Sequence, residues 1–141
     1  MKNLLIKPNS TIRDVLKQLS RAGEKCLVVV DKKNKLLGTL SDGDVRKAIL
    51  KGKNPNDKIN ELYQKKPTFL EKKNYSITQA KDIFMKKRID IIPVVEASKK
   101  VVDVITFNTI FKKNKSTHYS NNLSKTVVIM AGGKGTRLEP F

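Results

Sequence analysis

The chain has 141 residues, a length that fits about one domain and excludes two large ones. Lysine and arginine together number 30 against 13 aspartate and glutamate residues, so the formal net charge is +17. With 38% hydrophobic and 30% charged residues, the composition is that of a globular chain and excludes a disordered or collagen-like one.

The excess of positive charge raises the question of nucleic-acid binding. Only five of the basic residues are arginines, whereas recognition of bases and phosphates favours arginine. The lysines are spread over the whole length, often in pairs such as Lys32-Lys33 and Lys86-Lys87, which is typical of a solvated surface. We therefore do not expect a nucleic acid as partner, and rank polyanion binding last among the functions considered.

Cysteine, histidine and apolar runs limit the remaining classes. A single cysteine, Cys26, excludes an internal disulfide, and a single histidine, His118, leaves no Cys/His cluster for zinc, so we predict no metal site. The apolar run at residues 4–6 is too short for a signal peptide, and no run has membrane-spanning length. We expect a cytoplasmic protein without membrane contact, in which Cys26 is a core thiol.

A shift of the sequence by 65 residues brings two halves into register. Residues 27–30 fall on 92–95, residues 36–37 fall on 101–102, and Ser41 falls on Thr106. Chance matches would not keep both the apolar positions and the interval constant. The chain therefore contains an internal duplication.

Each copy predicts the same elements in the same order. After a short strand at residues 4–5, Ser10 or Thr11 caps a helix whose apolar residues are spaced i, i+3, i+4 and i+7 (Ile12, Val15, Leu16 and Leu19). Apolar runs at 26–30 and 36–40 around a charged turn predict a hairpin, and a second helix follows Ser41 and ends near Gly52. The second copy repeats this from residue 69, with a cap at Ser76, runs at 91–95 and 101–105, and a last helix from Thr106 to about Lys113.

The predicted fold class is α/β of the α+β kind, with two βαββα repeats packed as a pseudo-twofold pair. Neither half is long enough to bury both faces of its helices by itself. We predict repeat 1 at 1–57, repeat 2 at 58–113, a polar linker at 114–125, and the start of a further domain at 126–141.

Repeats of this order and size, with Gly38-Thr39-Leu40-Ser41-Asp42-Gly43-Asp44-Val45 at the junction of strand and helix, resemble the CBS domain, named after cystathionine beta-synthase. The resemblance covers about residues 4–114. It implies a disc of two units with two clefts that commonly bind adenine nucleotides (AMP, ADP or ATP), and a homodimer formed through the pair.

The junction from Ser41 to Asp44 has two interpretations. Ser41 can accept from the Asp44 N–H group while the Asp44 carboxylate bonds back, which is a capping box and needs no ligand. The resemblance implies that the carboxylate also accepts the ribose hydroxyls, with the serine and the helix N-terminus near the phosphate. We predict a nucleotide site at Ser41 and Asp44, with apolar walls from three side chains and Arg46 or a nearby lysine at the phosphates. Those walls are Leu5, Leu27 and Val28.

The second copy departs from this pattern. Thr106 and Thr109 stand where Ser41 and Asp44 stand in the first, so the cap is kept and the carboxylate is lost, and Asp103 replaces Gly38. We therefore expect one competent site and a degenerate second one. Pro93 occupies a position where such pairs often carry a strand proline, or alternatively an edge-strand position that needs no N–H partner.

A different motif closes the chain. The apolar run at 126–130 leads into Ala131-Gly132-Gly133-Lys134-Gly135-Thr136-Arg137-Leu138-Glu139-Pro140, whose spacing fits neither a Walker A loop nor a dinucleotide fingerprint. It resembles the opening of sugar-1-phosphate nucleotidyltransferases, such as glucose-1-phosphate thymidylyltransferase and mannose-1-phosphate guanylyltransferase.

That second resemblance implies roles for the loop. Its backbone at Gly132, Gly133, Gly135 and Thr136 would hold a nucleoside triphosphate with Mg²⁺, while Arg137 would steady the departing pyrophosphate and Lys134 would add positive charge. Fifteen residues are too few for the catalytic domain, so we expect an orphan strand and no catalysis by this chain itself. We predict a regulatory, adenine-nucleotide-binding CBS pair joined to such an enzyme; the alternative is a ligand-free dimerisation scaffold of the same enzyme.

Overall fold

The structure, a computed structural model, describes residues 2–112. After a 3₁₀ turn at Lys2–Leu4, the first repeat has β1 (Leu5–Ile6), α1 (Ile12–Ala22), β2 (Cys26–Val30), β3 (Leu36–Ser41) and α2 (Asp42–Leu50). The second has β4 (Leu70–Glu71), α3 (Ile77–Lys87), β5 (Ile91–Val95), β6 (Val101–Thr106) and α4 (Phe107–Lys112). The predicted fold class, a duplicated βαββα unit, is confirmed.

Each repeat forms a three-stranded sheet with the later hairpin strand at one edge. The strand orders are β1-β2-β3 and β4-β5-β6, with the first pair parallel and the second antiparallel. The registers match across the duplication, since Cys26 pairs with Ser41 and Ile91 pairs with Thr106. The first residue of β2 therefore lies beside the start of α2, and the first residue of β5 lies beside the start of α4.

Pro93 lies on the central strand β5, so the interpretation as an edge-strand position is wrong. The sheet tolerates it because β4 is only two residues long and opposes Val94 and Val95. Pro93 lies beyond the end of that parallel ladder, where its missing N–H group breaks none of the ladder's registered pairs.

The repeats pack through alternate residues of their central strands. Val28 and Val30 belong to a buried cluster with Val95 and Val101 of the second repeat, whereas Leu27 and Val29 face the helices of their own repeat. All five residues of β2 and of β5 are buried. This explains why both strands are continuously apolar although their side chains alternate between two faces.

Two hydrogen bonds join the hairpin turns of the two repeats. The Leu36 N–H group donates to the Lys99 carbonyl at 2.9 Å, and the Val101 N–H group donates to the Asn34 carbonyl at 2.9 Å. The two bonds are equivalent under the 65-residue shift, since Leu36 corresponds to Val101 and Asn34 to Lys99. The predicted pseudo-twofold relation is thus visible in the backbone contacts.

The segment after α2 covers the first repeat. Ile59 is fully buried in its core, and Gln64 forms a backbone pair with Thr39, with N···O distances of 2.8 and 3.2 Å. The predicted boundary after residue 57 assigns this segment to repeat 2, and that boundary stays a prediction. The segment adds a short antiparallel bridge to the open edge of β3.

Candidate functional site

The N-terminus of α2 carries the predicted capping box. The Asp44 N–H group donates to Ser41 Oγ at 3.1 Å, and Asp44 Oδ2 accepts from the Ser41 N–H group at 3.0 Å and from Ser41 Oγ at 2.6 Å. Both residues are half-buried. The carboxylate is therefore fixed in one orientation at the positive end of the helix dipole.

Ser41 and Asp44 line a cavity of about 250 Å³ between the two repeats. The first repeat contributes Cys26, Thr39, Ser41 and Asp44, and the second contributes Thr68, Arg88, Ile89, Asp90 and Ile91. Cys26 and Ile91 are equivalent under the duplication, so the pseudo-twofold relation brings the starts of β2 and β5 together here. The cavity exists only because both repeats are present.

The charged groups of the cavity come from both sides. Asp44 belongs to the first repeat, and Arg88 and Asp90 to the second. Arg88 ends α3 with a left-handed backbone (φ 50°), immediately before the turn into β5. Thr68 Oγ1 accepts from Lys87 Nζ at 3.1 Å, which places a second cation beside the lining.

Cys26 is buried at the edge of the cavity. Burial, together with the negative charges of Asp90 and Asp44, raises the pKa of the thiol from 9.0 to about 12. Because only the thiolate is strongly nucleophilic, Cys26 is a neutral, apolar group at neutral pH. It can contact a flat, apolar ligand surface.

The other predicted site residues lie elsewhere. Leu27 lies in the core of the first repeat, and Val28 and Leu5 lie in or against the cluster between the repeats. Arg46 Nε forms an ion pair with Asp42 at 2.7 Å and its side chain is 75% exposed. None of these four residues lines the cavity that contains Ser41 and Asp44.

Sequence reasoning missed the five residues that the second repeat contributes, which are Thr68 and the run 88–91. A signal for them was present, because the 65-residue register aligns Ile91 with Cys26. A pseudo-twofold axis between those two positions would bring the segment preceding Ile91 to the side of Ser41.

The equivalent junction in the second repeat has the same geometry without a carboxylate. The hydroxyls of Thr106 and Thr109 are 2.7 Å apart, and the Thr109 N–H group donates to Thr106 Oγ1 at 3.2 Å. Next to it, Asn108 Nδ2 donates to Glu24 Oε2 of the first repeat at 3.4 Å. This side of the pair is bridged by a hydrogen bond between the repeats.

The predicted catalytic loop, with Gly132, Gly133, Lys134, Gly135, Thr136 and Arg137, lies outside the described residues. Within residues 2–112, no group of three or more His, Cys, Asp and Glu side chains could hold a metal ion. None of the helices in this range is long and apolar enough to cross a membrane.

One curated relative matches nearly three quarters of this chain and about a third of its own length. Arabinose 5-phosphate isomerase GutQ of Escherichia coli (strain K12) is 28% identical over 103 residues, which are 73% of this chain and 32% of that protein. The chain spans less than a third of the length of the curated relatives it matches.

Solved structures of similar fold include two that hold an adenine nucleotide. CBSX2, a protein of Arabidopsis thaliana, in complex with AMP gives a TM-score of 0.67 at 22% identity, over 80% of this chain and 88% of that one. The cytosolic domain of the Mg²⁺ channel MgtE in complex with ATP gives 0.63 at 20% identity, over 78% and 44%. At such identities the likeness concerns the fold alone.

A family model, the CBS domain, matches residues 1–51 and 61–115. The two matched stretches correspond to the two repeats of the fold and together cover most of the chain. The chain therefore belongs to the CBS domain family, as a tandem pair of such domains.

Proposed function

We propose that this CBS pair is a regulatory module that binds an adenine nucleotide in the cavity between its repeats. The observation that carries the proposal is the position of Asp44, a carboxylate fixed at a helix N-terminus inside a cavity that both repeats line. Structures of the same fold hold AMP in CBSX2 and ATP in MgtE. A ligand in this position would contact both repeats at once.

Asp44 has a second carboxylate oxygen that could accept a hydrogen bond from the ribose. Within residues 2–112, its side-chain hydrogen bonds all use Oδ2, through Ser41. Oδ1 is therefore available to accept from a ribose hydroxyl, and a carboxylate is a stronger acceptor than a neutral oxygen. The apolar side chains of Ile89, Ile91 and Cys26 in the same cavity offer a surface for the base.

The phosphate end of the ligand belongs to the second repeat in this proposal. Arg88 lines the cavity and Lys87 is hydrogen-bonded to its wall through Thr68, whereas Arg46 is paired with Asp42 outside it. A guanidinium group is suited to phosphate because it donates two parallel hydrogen bonds. Arg88 thus replaces Arg46 as the proposed phosphate-binding residue.

The enzyme that this module would regulate is a further proposal. The sequence at 126–140 supports a cytoplasmic sugar-1-phosphate nucleotidyltransferase, using Mg²⁺, as the domain joined to the pair. Regulation requires that the nucleotide bind more tightly to one of two states of the catalytic domain. A homodimer formed through the pair is part of this proposal.

A ligand-free dimerisation scaffold is the second candidate function. Large apolar side chains are exposed on two helices: Leu50 is 87% exposed, Ile77 is 66% exposed and Met85 is 67% exposed. Dimerisation would remove part of this apolar surface from water. The two candidates differ in whether the cavity takes a ligand.

Titration calorimetry of the whole chain with AMP, ADP and ATP tests the proposal. We expect Asp44→Asn to weaken binding at least about tenfold, since a hydrogen bond to a charged group is worth about 1.5–3 kcal/mol. Asp14→Asn is the matched control, because Asp14 forms the same capping box with Thr11 on α1 and does not line the cavity. Absence of heat with all three nucleotides, or unchanged binding by Asp44→Asn, contradicts nucleotide binding and favours the scaffold.

A further inference from the structure

We propose that the cavity selects its adenine ligand by charge, and that Asp90 is the residue that makes a nucleoside or a nucleoside monophosphate bind more tightly than a triphosphate. This inference rests on the proposed function and names the ligand class within it. It follows from which charged side chains meet in the cavity and how few cations accompany them.

The cavity contains carboxylates from opposite repeats. Asp44 lies in the first turn of α2, and Asp90 directly precedes β5. Within residues 2–112, Arg46 and Asp42 form the one ion pair shorter than 4.0 Å. Asp44 and Asp90 therefore have no basic side chain within that distance in this part of the chain. Cys26 lies in the same lining, where Asp44 is half-buried and Asp90 is exposed, and both carboxylates contribute to the raised pKa of its thiol.

The cations at the cavity suffice for one phosphate. Arg88 is the basic residue in the lining, and Lys87 reaches its wall through Thr68. A monophosphate carries about 1.5 to 2 negative charges near neutral pH, which these two cations can balance. Each additional phosphate adds negative charge to a space that already holds Asp90, and like charges at short range repel.

The fold itself does not require the acidic pair. The 65-residue register places Lys25 at the position equivalent to Asp90, and Thr109 at the position equivalent to Asp44. The Asp90 side chain accepts no hydrogen bond within the described residues, and its backbone carbonyl accepts from the Phe107 N–H group at 3.1 Å. Replacing Asp90 by asparagine would therefore remove the charge and keep the backbone contact.

The overall charge of +17 acts in the opposite direction, because it attracts every phosphate. At an ionic strength of about 0.15 M the screening length is about 8 Å, so distant lysines contribute little to the comparison. At that ionic strength, the ratio of the AMP and ATP affinities depends mainly on the charged side chains that line the cavity.

The experiment is calorimetric titration of the whole chain with adenosine, AMP, ADP and ATP, without divalent cations. We expect AMP to bind about fivefold more tightly than ATP, and Asp90→Asn to bring the two affinities close to each other. Asp82→Asn removes the same charge from an exposed position on α3 outside the cavity, and should leave the ratio of the two affinities unchanged.

Four outcomes would overturn the inference. ATP binding as tightly as AMP to the parent chain contradicts selection by charge, while adenine-nucleotide binding as such stands. An unchanged ratio in Asp90→Asn, or an equal change in Asp82→Asn, shows that Asp90 is not the selecting residue. Failure of all four ligands to bind overturns the proposed function and this inference with it.

Discussion

Cys26 shows how one buried side chain links stability to pH. The side chain is 7% exposed, and burial with the nearby Asp90 and Asp44 carboxylates raises the pKa of its thiol from 9.0 to about 12. Between these two values the unfolded chain loses the thiol proton and the folded chain keeps it. The free energy of unfolding therefore decreases as pH rises from about 9 toward about 12, and no such loss occurs below pH 9.

We predict that Cys26→Ala removes this alkaline loss. Above pH 9 the parent should lose about 1 kcal/mol of stability per pH unit more than the variant, since one pKa unit corresponds to about 1.4 kcal/mol. Urea unfolding of both chains at several pH values from 7.5 to 10.5 measures the difference, and the lysines titrate alike in the two. Parallel curves over that range would contradict the prediction.

Single residues also show where sequence reasoning stops. Ser41 and Asp44 could be predicted as a pair because the N-cap and N3 positions of a helix are three residues apart in the chain. Arg88 and Asp90 belong to no local pattern, and their place beside Asp44 depends on how two sheets pack. Only the 65-residue register, combined with a pseudo-twofold axis, points to them. Leu27 and Val28 were predicted as walls, but a strand buried on both faces directs such residues into two cores.

At the scale of elements, the open edge of β3 depends on the segment that covers it. The backbone of Gln64 pairs with Thr39, and an added Cβ at Gly38 would overlap the Gln64 carbonyl oxygen and lie 2.5 Å from Tyr63 Cδ2. Glycine is required at position 38 because the backbone of the covering segment approaches its Cα closely, and not because its φ is unusual. The covering segment and the glycine therefore belong together.

Gly38→Ala should destabilise the protein by about 1–3 kcal/mol, because the backbone of the covering segment would have to move. Gly43→Ala is the matched control, since the nearest atom to its new Cβ is Ser41 Oγ at 3.6 Å and alanine favours a helix. Thermal unfolding of both variants measures the effect. Equal melting temperatures would mean that the segment is not firmly bound to β3.

At the equivalent position of β6, the outward N–H group has a different acceptor. Asp103 replaces Gly38 in the register, and its Oδ1 accepts from the Val104 N–H group at 2.8 Å. In the first repeat the corresponding N–H group, that of Thr39, donates to Gln64. The sequence shows the exchange of glycine for aspartate, and the reason for it appears only when the covering segment is seen.

Helix starts were the most predictable elements. Ser41 and Ser76 were expected as N-caps, and for the first helix either Ser10 or Thr11. Thr11, Ser41 and Ser76 each accept a hydrogen bond from the N–H group three residues later. Caps are local, so their sequence signal does not depend on packing. The covering segment at 58–64 carries no such periodic signal, because its pairing partner lies in a distant part of the chain.

At the scale of the whole molecule, the contact between the repeats is a true core. Val28 and Val30 are fully buried against Val95 and Val101 of the other repeat. Fully burying such a side chain is worth about 1.5–3 kcal/mol. A single repeat would expose this face to water.

We predict that the pieces 1–66 and 67–141, produced separately, show no cooperative thermal unfolding, whereas an equimolar mixture recovers it. The reason is that each piece lacks the partner surface for its central strand. Circular dichroism during heating of each piece and of the mixture measures this, with the whole chain as the reference. A cooperative transition in a separate piece that does not associate with itself would contradict it.

The hydrogen bonds between the hairpin turns, at Leu36 and Val101, lie at the ends of the central strands opposite to Cys26 and Ile91. Four residue steps of about 3.3 Å separate the two ends, so the cavity lies about 13 Å from this joint. Within residues 2–112 the backbone hydrogen bonds between the repeats lie at that end, whereas at the cavity end the repeats are joined by side chains, among them the bond from Asn108 to Glu24. A molecule bound between Asp44 and Arg88 would therefore add contacts between the repeats at the end that lacks backbone hydrogen bonds.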